Sequence, residues 1–506
     1  MKHATRPASR PLLAAFALTL AALTDLRADV KLPAIFSDHM VLQRDAIVPV
    51  WGWAEPGEAV TVSIAGQTKT ATADAAGKWS VKLDKLSTGK PLTLVVSGKN
   101  KIAVNDVLVG DVWLCSGQSN MHFRMNRVEK SREEIAAADH PSIRYFKVEE
   151  QFAQQPATNV SGVWNPVSPA TAAECSAVAY YFARALQQKL GVPIGLVVSS
   201  VGGTRIETWM QSDTLAKIED AKPLIEQWKN VTPEDFEKIA ADYCAFQERR
   251  DHVNPPGATT PKGQGAPVPP EAQRPARRCH DCPGALHNGM IAPLQPVAIR
   301  GVIWYQGEAN SGRPAAYEKL LPALIADWRR VWGKELPFLF VQLPPFQNTH
   351  PAFREAQTRI WQKTPRTAMV VTTDVGSAKD IHPTRKRPVG ERLALAARAL
   401  SYGERVEYSG PVFDRMSVES NRAVVSFTHV GEGLMAQGDS LKGFTIAGTG
   451  GKFVPATAVI DGANVVVSSE TITNPVAVRY GWAMVPDVNL FNREGLPASP
   501  FRTDDW

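Results

Sequence analysis

From residue 107 to residue 402 short apolar runs alternate with amphipathic stretches, and that alternation limits the fold more than any other feature of the chain. Residues 107–115, 194–199, 300–304, 338–343 and 368–373 read as strands. Residues 175–190, 315–332, 356–362 and 388–402 carry apolar side chains at helical spacing. Pro388 sits near a first turn and Gly403 just past an end, the positions that suit a fixed φ and a left-handed residue. Parallel neighbours need a crossover long enough for a helix. Strands alternating with helices therefore predict an α/β unit, a parallel sheet with helices on both faces.

On either side the texture changes. Residues 29–106 hold alternating runs such as Val60-Thr61-Val62-Ser63-Ile64 and Trp79-Ser80-Val81-Lys82-Leu83, separated by turns such as Asp74-Ala75-Ala76-Gly77. Period-two alternation between turn residues predicts a small β-sandwich. Residues 404–506 repeat that texture and predict a second one. With 506 residues, 44% apolar and 21% charged, the chain has length for two to four domains and a globular composition. It divides into 29–106, 107–403 and 404–506. Within the middle unit, 211–285 reads as an insertion, polar and helical to about residue 250 and then Pro/Gly-rich. Trp51, Trp53 and Trp79 read as sandwich core rather than as a sugar-stacking platform.

Residues 1–28 read as an export signal cut after Ala28. Lys2, Arg6 and Arg10 precede the apolar run 12–23, which is too short to span a hydrocarbon core of roughly 30 Å. The expected location is secreted or periplasmic, without membrane insertion. This leader carries +3 of the formal +6, so the remainder is weakly basic and nothing calls for a nucleic-acid partner. Export permits disulfides, and Cys115, Cys175, Cys244, Cys279 and Cys282 are odd in number. A bond from Cys244 to Cys279 or Cys282 is expected. Cys279-His280-Asp281-Cys282 with His287 has the look of half a zinc site, but no second pair has ligand spacing, and no metal is expected.

Four stretches carry chemistry. Leu114-Cys115-Ser116-Gly117-Gln118-Ser119-Asn120-Met121 ends an apolar strand in a serine poised to start a helix. Serines there sit where open α/β sheets bind ligands, although most only cap a helix. Asp380-Ile381-His382-Pro383 follows another strand. A carboxylate two residues from an imidazole can orient it, and a reference pKa of about 6.5 suits a base near neutrality. That value predicts activity rising through a transition near neutral pH. Trp304-Tyr305-Gln306-Gly307-Glu308-Ala309-Asn310 offers an amide donor to an oxyanion, and Val201-Gly202-Gly203-Thr204-Arg205 offers exposed backbone N–H groups. The chain order Ser, Asp, His is one known for acyl-transfer triads.

With Asn288-Gly289-Met290-Ile291-Ala292-Pro293-Leu294, Phe36-Ser37-Asp38-His39-Met40-Val41-Leu42-Gln43-Arg44 and Gly495-Leu496-Pro497-Ala498-Ser499-Pro500-Phe501-Arg502, these stretches make a wider likeness. The chain resembles the sialate O-acetylesterase family of carbohydrate esterases, within the SGNH/GDSL hydrolase superfamily, over nearly all of residues 29–506. The resemblance implies a three-layer SGNH-type hydrolase domain flanked by two small all-β sandwiches. It also implies a serine esterase without cofactor that acts on O-acetylated sugars or glycans. Ser119 is implied as nucleophile and His382 as base. The Ser119 backbone N–H, Gly202 or Gly203, and Gln306 are implied as the oxyanion hole, with Asn310 as a further candidate. The acid of many superfamily members lies three residues before the His, where this chain has Lys379. Asp380 is expected to orient the ring, with Asp374 and Glu308 as alternatives. Arg205 is read as either a partner for a sialic acid carboxylate or, in preference, an ion pair with Glu207. Acetylated sialic acid and acetylated xylan or mannan remain open as substrates. The rival from another class is a non-catalytic sugar-binding protein.

Overall fold

The computed structural model describes residues 29–253 and 278–506; the expected leader and the Pro/Gly-rich run lie outside the described residues. So does the side chain of Cys244, on which the expected disulfide turns. No helix among the described residues is long and apolar enough to cross a membrane.

Seven strands make the central path of the main sheet. They are β1 (Lys101–Gly117), β2 (His140–Lys147), β3 (Trp164–Val167), β4 (Ile194–Ser200), β5 (Gly301–Tyr305), β6 (Phe338–Val341) and β7 (Thr367–Val370). Their spatial order is β7-β6-β5-β1-β4-β2-β3. Every neighbouring pair is parallel except β2 and β3. The sheet is thus mixed, a parallel run closed by one antiparallel edge. β4 and β5 are buried at every residue, as a strand covered on both faces must be, which is why they read as unbroken apolar runs. β2 was not expected because only four of its eight residues are buried and Pro141, Ser142 and Arg144 interrupt its pattern.

The helices that position the site are α1 (Ser119–His122), α2 (Ala177–Leu190), α3 (Pro314–Trp332), α4 (Pro351–Lys363) and α5 (Arg387–Tyr402). The Ser176 hydroxyl caps α2 by accepting from the Ala179 N–H, and Gly191 ends the helix in a left-handed conformation. α2 packs on α5 and α3 packs on α4.

Residues 101–107 of β1 pair with Leu92–Ser97 in the N-terminal sheet, and the same strand then enters the central sheet. The expected boundary at residue 106 therefore falls inside one strand, which also explains why β1 begins before the expected residue 107. The N-terminal strands and the central sheet share one apolar core, running from Val30 to Val412. Trp79 is buried in it and Trp51 packs against it, while Trp53 is only half-buried. The C-terminal strands pair antiparallel and enclose a second core that runs from Ala423 to Phe501.

One buried carboxylate ties the N-terminal segment to the sheet. Asp111 of β1 is fully buried and accepts from Arg44 (2.9 and 3.1 Å), Arg300 (2.7 and 2.9 Å), Gln43 (3.0 Å) and the Tyr402 hydroxyl (2.9 Å). Burial alone would raise its pKa, but Arg44, Arg300 and Gln43 outweigh burial and hold it below the ordinary carboxylate range. A depressed carboxyl pKa adds stability that is full above the ordinary range and drains away as pH falls toward the lowered value. Asp111→Ala leaves two guanidiniums facing a void. We expect it to cost about 3–5 kcal/mol in urea unfolding. A loss under about 1 kcal/mol would show that the cluster only decorates the joint.

Candidate active site

The carboxyl ends of the three central strands lie level. Gly117 of β1 pairs with Ser200 of β4 and with Tyr305 of β5. The chain therefore turns out of the sheet at one height in three places, into Gln118-Ser119, Val201-Gly202-Gly203 and Gln306-Gly307-Glu308. Gly117 has φ +135°, and a Cβ there would lie 2.2 Å from the Tyr305 carbonyl oxygen. Only glycine lets the two strands end this close, with the Gln118 N–H donating to that same oxygen at 2.9 Å. The Gln118 side chain then accepts from the N–H groups of Gly307 (3.4 Å) and Ala309 (3.3 Å), clamping the neighbouring turn.

Ser119 is the first residue of α1, but its hydroxyl does not cap the helix. The Ser119 Oγ lies 2.8 Å from Nε2 of His382, which the loop after β7 brings over it. With the ring proton on Nδ1, Nε2 accepts the hydroxyl hydrogen. The carboxylate of Asp380 accepts from the His382 backbone N–H at 2.8 Å, while its oxygen stands 3.9 Å from Nδ1 and its side chain is 60% exposed. It thus shapes the loop more than it grips the ring. Asp374 forms two 2.7 Å bonds to Arg392, and Glu308 meets Asn120 instead of the histidine, so neither alternative acid contacts the ring. Burial, then the charge of Lys386, lowers the His382 pKa to about 4, with Asp380 opposing and Arg127 adding to the fall.

Gly202 faces the serine, since a Cβ on it would lie 3.4 Å from the Ser119 Cβ. Gly203 has φ +73° and turns away toward His280, whose Nδ1 would lie 3.9 Å from a Cβ there. The CxxC element thus docks beside the glycine turn. The His280 ring packs against Tyr243 (4.2 Å between centroids) and Phe152 (5.3 Å). The ring nitrogens of His287 meet Asn288 (3.3 Å) and Gln295 (3.1 Å). Arg205 lies 3.2 Å from Asp281, not on Glu207 as expected; Glu207 is instead paired with Arg313 and accepts from Asn310.

Gln306 corrects the expectation of an oxyanion donor. It is fully buried, and its amide N–H₂ donates to the Thr204 carbonyl (3.1 Å) and to Asn310 Oδ1 (2.8 Å). Its oxygen accepts from the Tyr317 hydroxyl at 3.0 Å. Both hydrogens are spent inside the protein. Asn310 is no substitute, because its N–H₂ serves Glu207 and its oxygen also accepts from the Ile206 N–H. The pair braces the glycine turn against the end of β5. Gln306→Ala removes three buried hydrogen bonds, so we expect it to lose about 2–4 kcal/mol of stability. The folded fraction should keep kcat within about threefold, well short of the 10²–10³-fold typical of a lost oxyanion donor. Melting temperature and active-site-titrated kcat on one sample decide between the two roles.

Two residues escaped sequence reasoning. The sequence marks Asn120 only as a neighbour of Ser119, yet it is fully buried. Lys386 is 1% exposed and stands at the N-cap of α5. A cation there opposes the helix dipole, and that misplacement was the available signal.

The sequence profile described as carbohydrate esterase, sialic acid-specific acetylesterase matches residues 109–238 and 285–399. A sialate O-acetylesterase of Rattus norvegicus is 30% identical over 93% of this chain and 94% of its own. That of Homo sapiens is 28% identical over 93% of this chain and 92% of its own. A solved carbohydrate acetylesterase from Xanthomonas citri is 39% identical, covers 94% of this chain and 100% of its own, and superposes with a TM-score of 0.80.

Proposed function

The chain belongs to the sialic acid-specific acetylesterases among the carbohydrate esterases, and we propose that it is an exported enzyme that removes O-acetyl groups from sugars through a serine acyl-enzyme. The observation that carries this reading is the 2.8 Å contact between Ser119 Oγ and His382 Nε2 at the level carboxyl ends of the sheet. Ser119 attacks the acetyl carbonyl carbon while its proton passes to His382 Nε2. The tetrahedral oxyanion sits against the backbone N–H groups of Ser119 and the Gly202 turn, since both hydrogens of the Gln306 amide are engaged and Asn310 is buried with its N–H₂ on Glu207. Collapse expels the sugar oxygen, which takes the proton back from His382. Water then repeats the sequence on the acetyl-enzyme and releases acetate. Asp380 steadies the loop that holds the base. The framework proposed for this chemistry is an SGNH-type hydrolase unit, residues 107–403, joined through the shared strand β1 to a β-sandwich unit, 29–106, and followed by a second one, 404–506.

O-acetylated sialic acid is the substrate proposed, by likeness to the relatives. Acetate release from acetylated sialic acid, acetylxylan, acetylmannan and an aryl acetate tests it. Release from the first beyond the two polysaccharides is the expected result. Preference for a polysaccharide would move the substrate while keeping the chemistry, and no release from any of the four would end the esterase reading.

A further inference from the structure

Beside the Ser119–His382 pair lie two groups of opposite charge that the reaction above does not use, the buried Lys386 and the half-buried Glu308. Asn120 bridges them. Its Nδ2 donates to Glu308 Oε1 and, at 3.0 Å, to the carbonyl of Ile381, the residue before His382. Its Oδ1 accepts from the Lys386 ammonium. One amide thus joins the nucleophile's helix, the turn after β5, the histidine loop and the start of α5. The Lys386 ammonium also stands over the rings of Phe123 (4.8 Å) and Tyr305 (5.3 Å).

Such a pair is a poor investment in stability. Desolvating two charges costs several kcal/mol, and apolar side chains of similar volume often do as well. Its geometry does something an apolar pair cannot do. The two ends of an asparagine amide have nearly the same shape, and only their hydrogen bonds tell them apart. A cation on one side and a carboxylate on the other allow a single orientation. In that orientation alone the N–H₂ faces the Ile381 carbonyl.

We infer that Lys386 and Glu308 are positioning residues for deacetylation: together they fix the Asn120 amide, which holds the Ile381 carbonyl and so keeps the His382 ring on Ser119. The inference rests on the reading of Ser119 and His382 as the reacting pair. The charged groups around Lys386 are Glu308 from the turn after β5, Asp380 and His382 from the loop after β7, and Arg127 from the turn after α1. Burial lowers the Lys386 pKa to about 7 against the pull of Glu308 and Asp380. Its charge in turn is one of the forces, after burial, that hold His382 low.

The test is Lys386→Met in the full chain, assayed on an aryl acetate across pH. Methionine keeps the length and removes both the donor and the charge. We expect kcat to fall about 10²-fold with KM within about twofold, the size of loss a displaced catalytic group produces. The acid limb of kcat/KM should move up, because a cation that held His382 down is gone. Asn120→Ala should lose a similar factor, and the double variant should be no worse than either single one, since both act through one amide. Wild-type kcat with an unmoved acid limb, or losses that multiply in the double variant, would overturn the inference. Should Lys386→Met not fold, Glu308→Met keeps the side-chain length, removes the oxygen that accepts from Asn120 and carries the same expectation of lost kcat at constant KM; full kcat there would overturn it equally. Ser119→Ala in the same assay keeps the questions apart, because activity surviving in that variant refutes the nucleophile and not the clamp.

Discussion

Ser119→Ala should lower kcat on acetylated sialic acid or an aryl acetate by about 10⁴-fold or more while the protein stays folded. The size follows from the chemistry, because without Oγ no acetyl-enzyme forms and only direct attack by water remains. The preserved fold follows from the contacts. The cap position of α1 belongs to Gln118, and it makes no side-chain capping bond, so the serine hydroxyl contributes nothing to the helix. The bond it gives up is to a ring that is 29% exposed, so water can replace it. Stability should change by less than about 1 kcal/mol. Two measurements check this: turnover of the purified variant, and a pre-steady-state burst of alcohol release in the parent enzyme that vanishes in the variant. A variant that turns over an aryl acetate within about tenfold of the parent would mean that His382 activates water directly and that Ser119 is a bystander.

How much of this was legible in the sequence depended on what each residue answers to. β4 and β5 could be read because strands covered on both faces are apolar throughout. Ser119 and His382 could be paired because both follow strands, and carboxyl ends of parallel strands meet on one edge. Gln306 shows where such reading stops. A polar residue past a strand end has the same local signature whether it faces the pocket or, as here, turns inward to Thr204, Asn310 and Tyr317. One partner, Thr204, lies 102 residues away, and only the packing of the fold turns Asn310 and Tyr317, 4 and 11 residues on, to the same amide; neither spacing nor propensity encodes that. Arg205 fails for the same reason. Its nearest acid in sequence is Glu207, but the fold brings Asp281 from the CxxC element to it. Lys386 was hidden differently, because a lysine near a helix start is ordinarily a solvated surface residue.

His382→Ala should be nearly as damaging as loss of the serine, about 10⁴-fold in kcat, because the attacking hydroxyl then has no acceptor for its proton. The more telling measurement on the parent enzyme is its pH profile. A histidine at its reference pKa of about 6.5 would switch activity on near neutrality. Here burial first, and then Lys386, hold the ring at about 4 in the folded protein. The base is competent only when neutral, so kcat/KM should fall as pH drops through about 4 and show no further rise from about pH 5 to 8. A limb between pH 6 and 7 would mean that the free enzyme keeps the ring far wetter than its surroundings imply. The same geometry fixes what Asp380 can add. In a tight triad the carboxylate bonds Nδ1 and its removal costs about 10⁴-fold. At 3.9 Å and 60% exposed, Asp380 is screened by water and grips only the backbone N–H of His382. Asp380→Asn keeps an oxygen for that N–H, so its loss should stay near tenfold, with KM unchanged. A loss approaching that of His382→Ala would show that the loop closes on substrate and draws the carboxylate onto Nδ1, making the 3.9 Å gap a property of the unliganded enzyme alone.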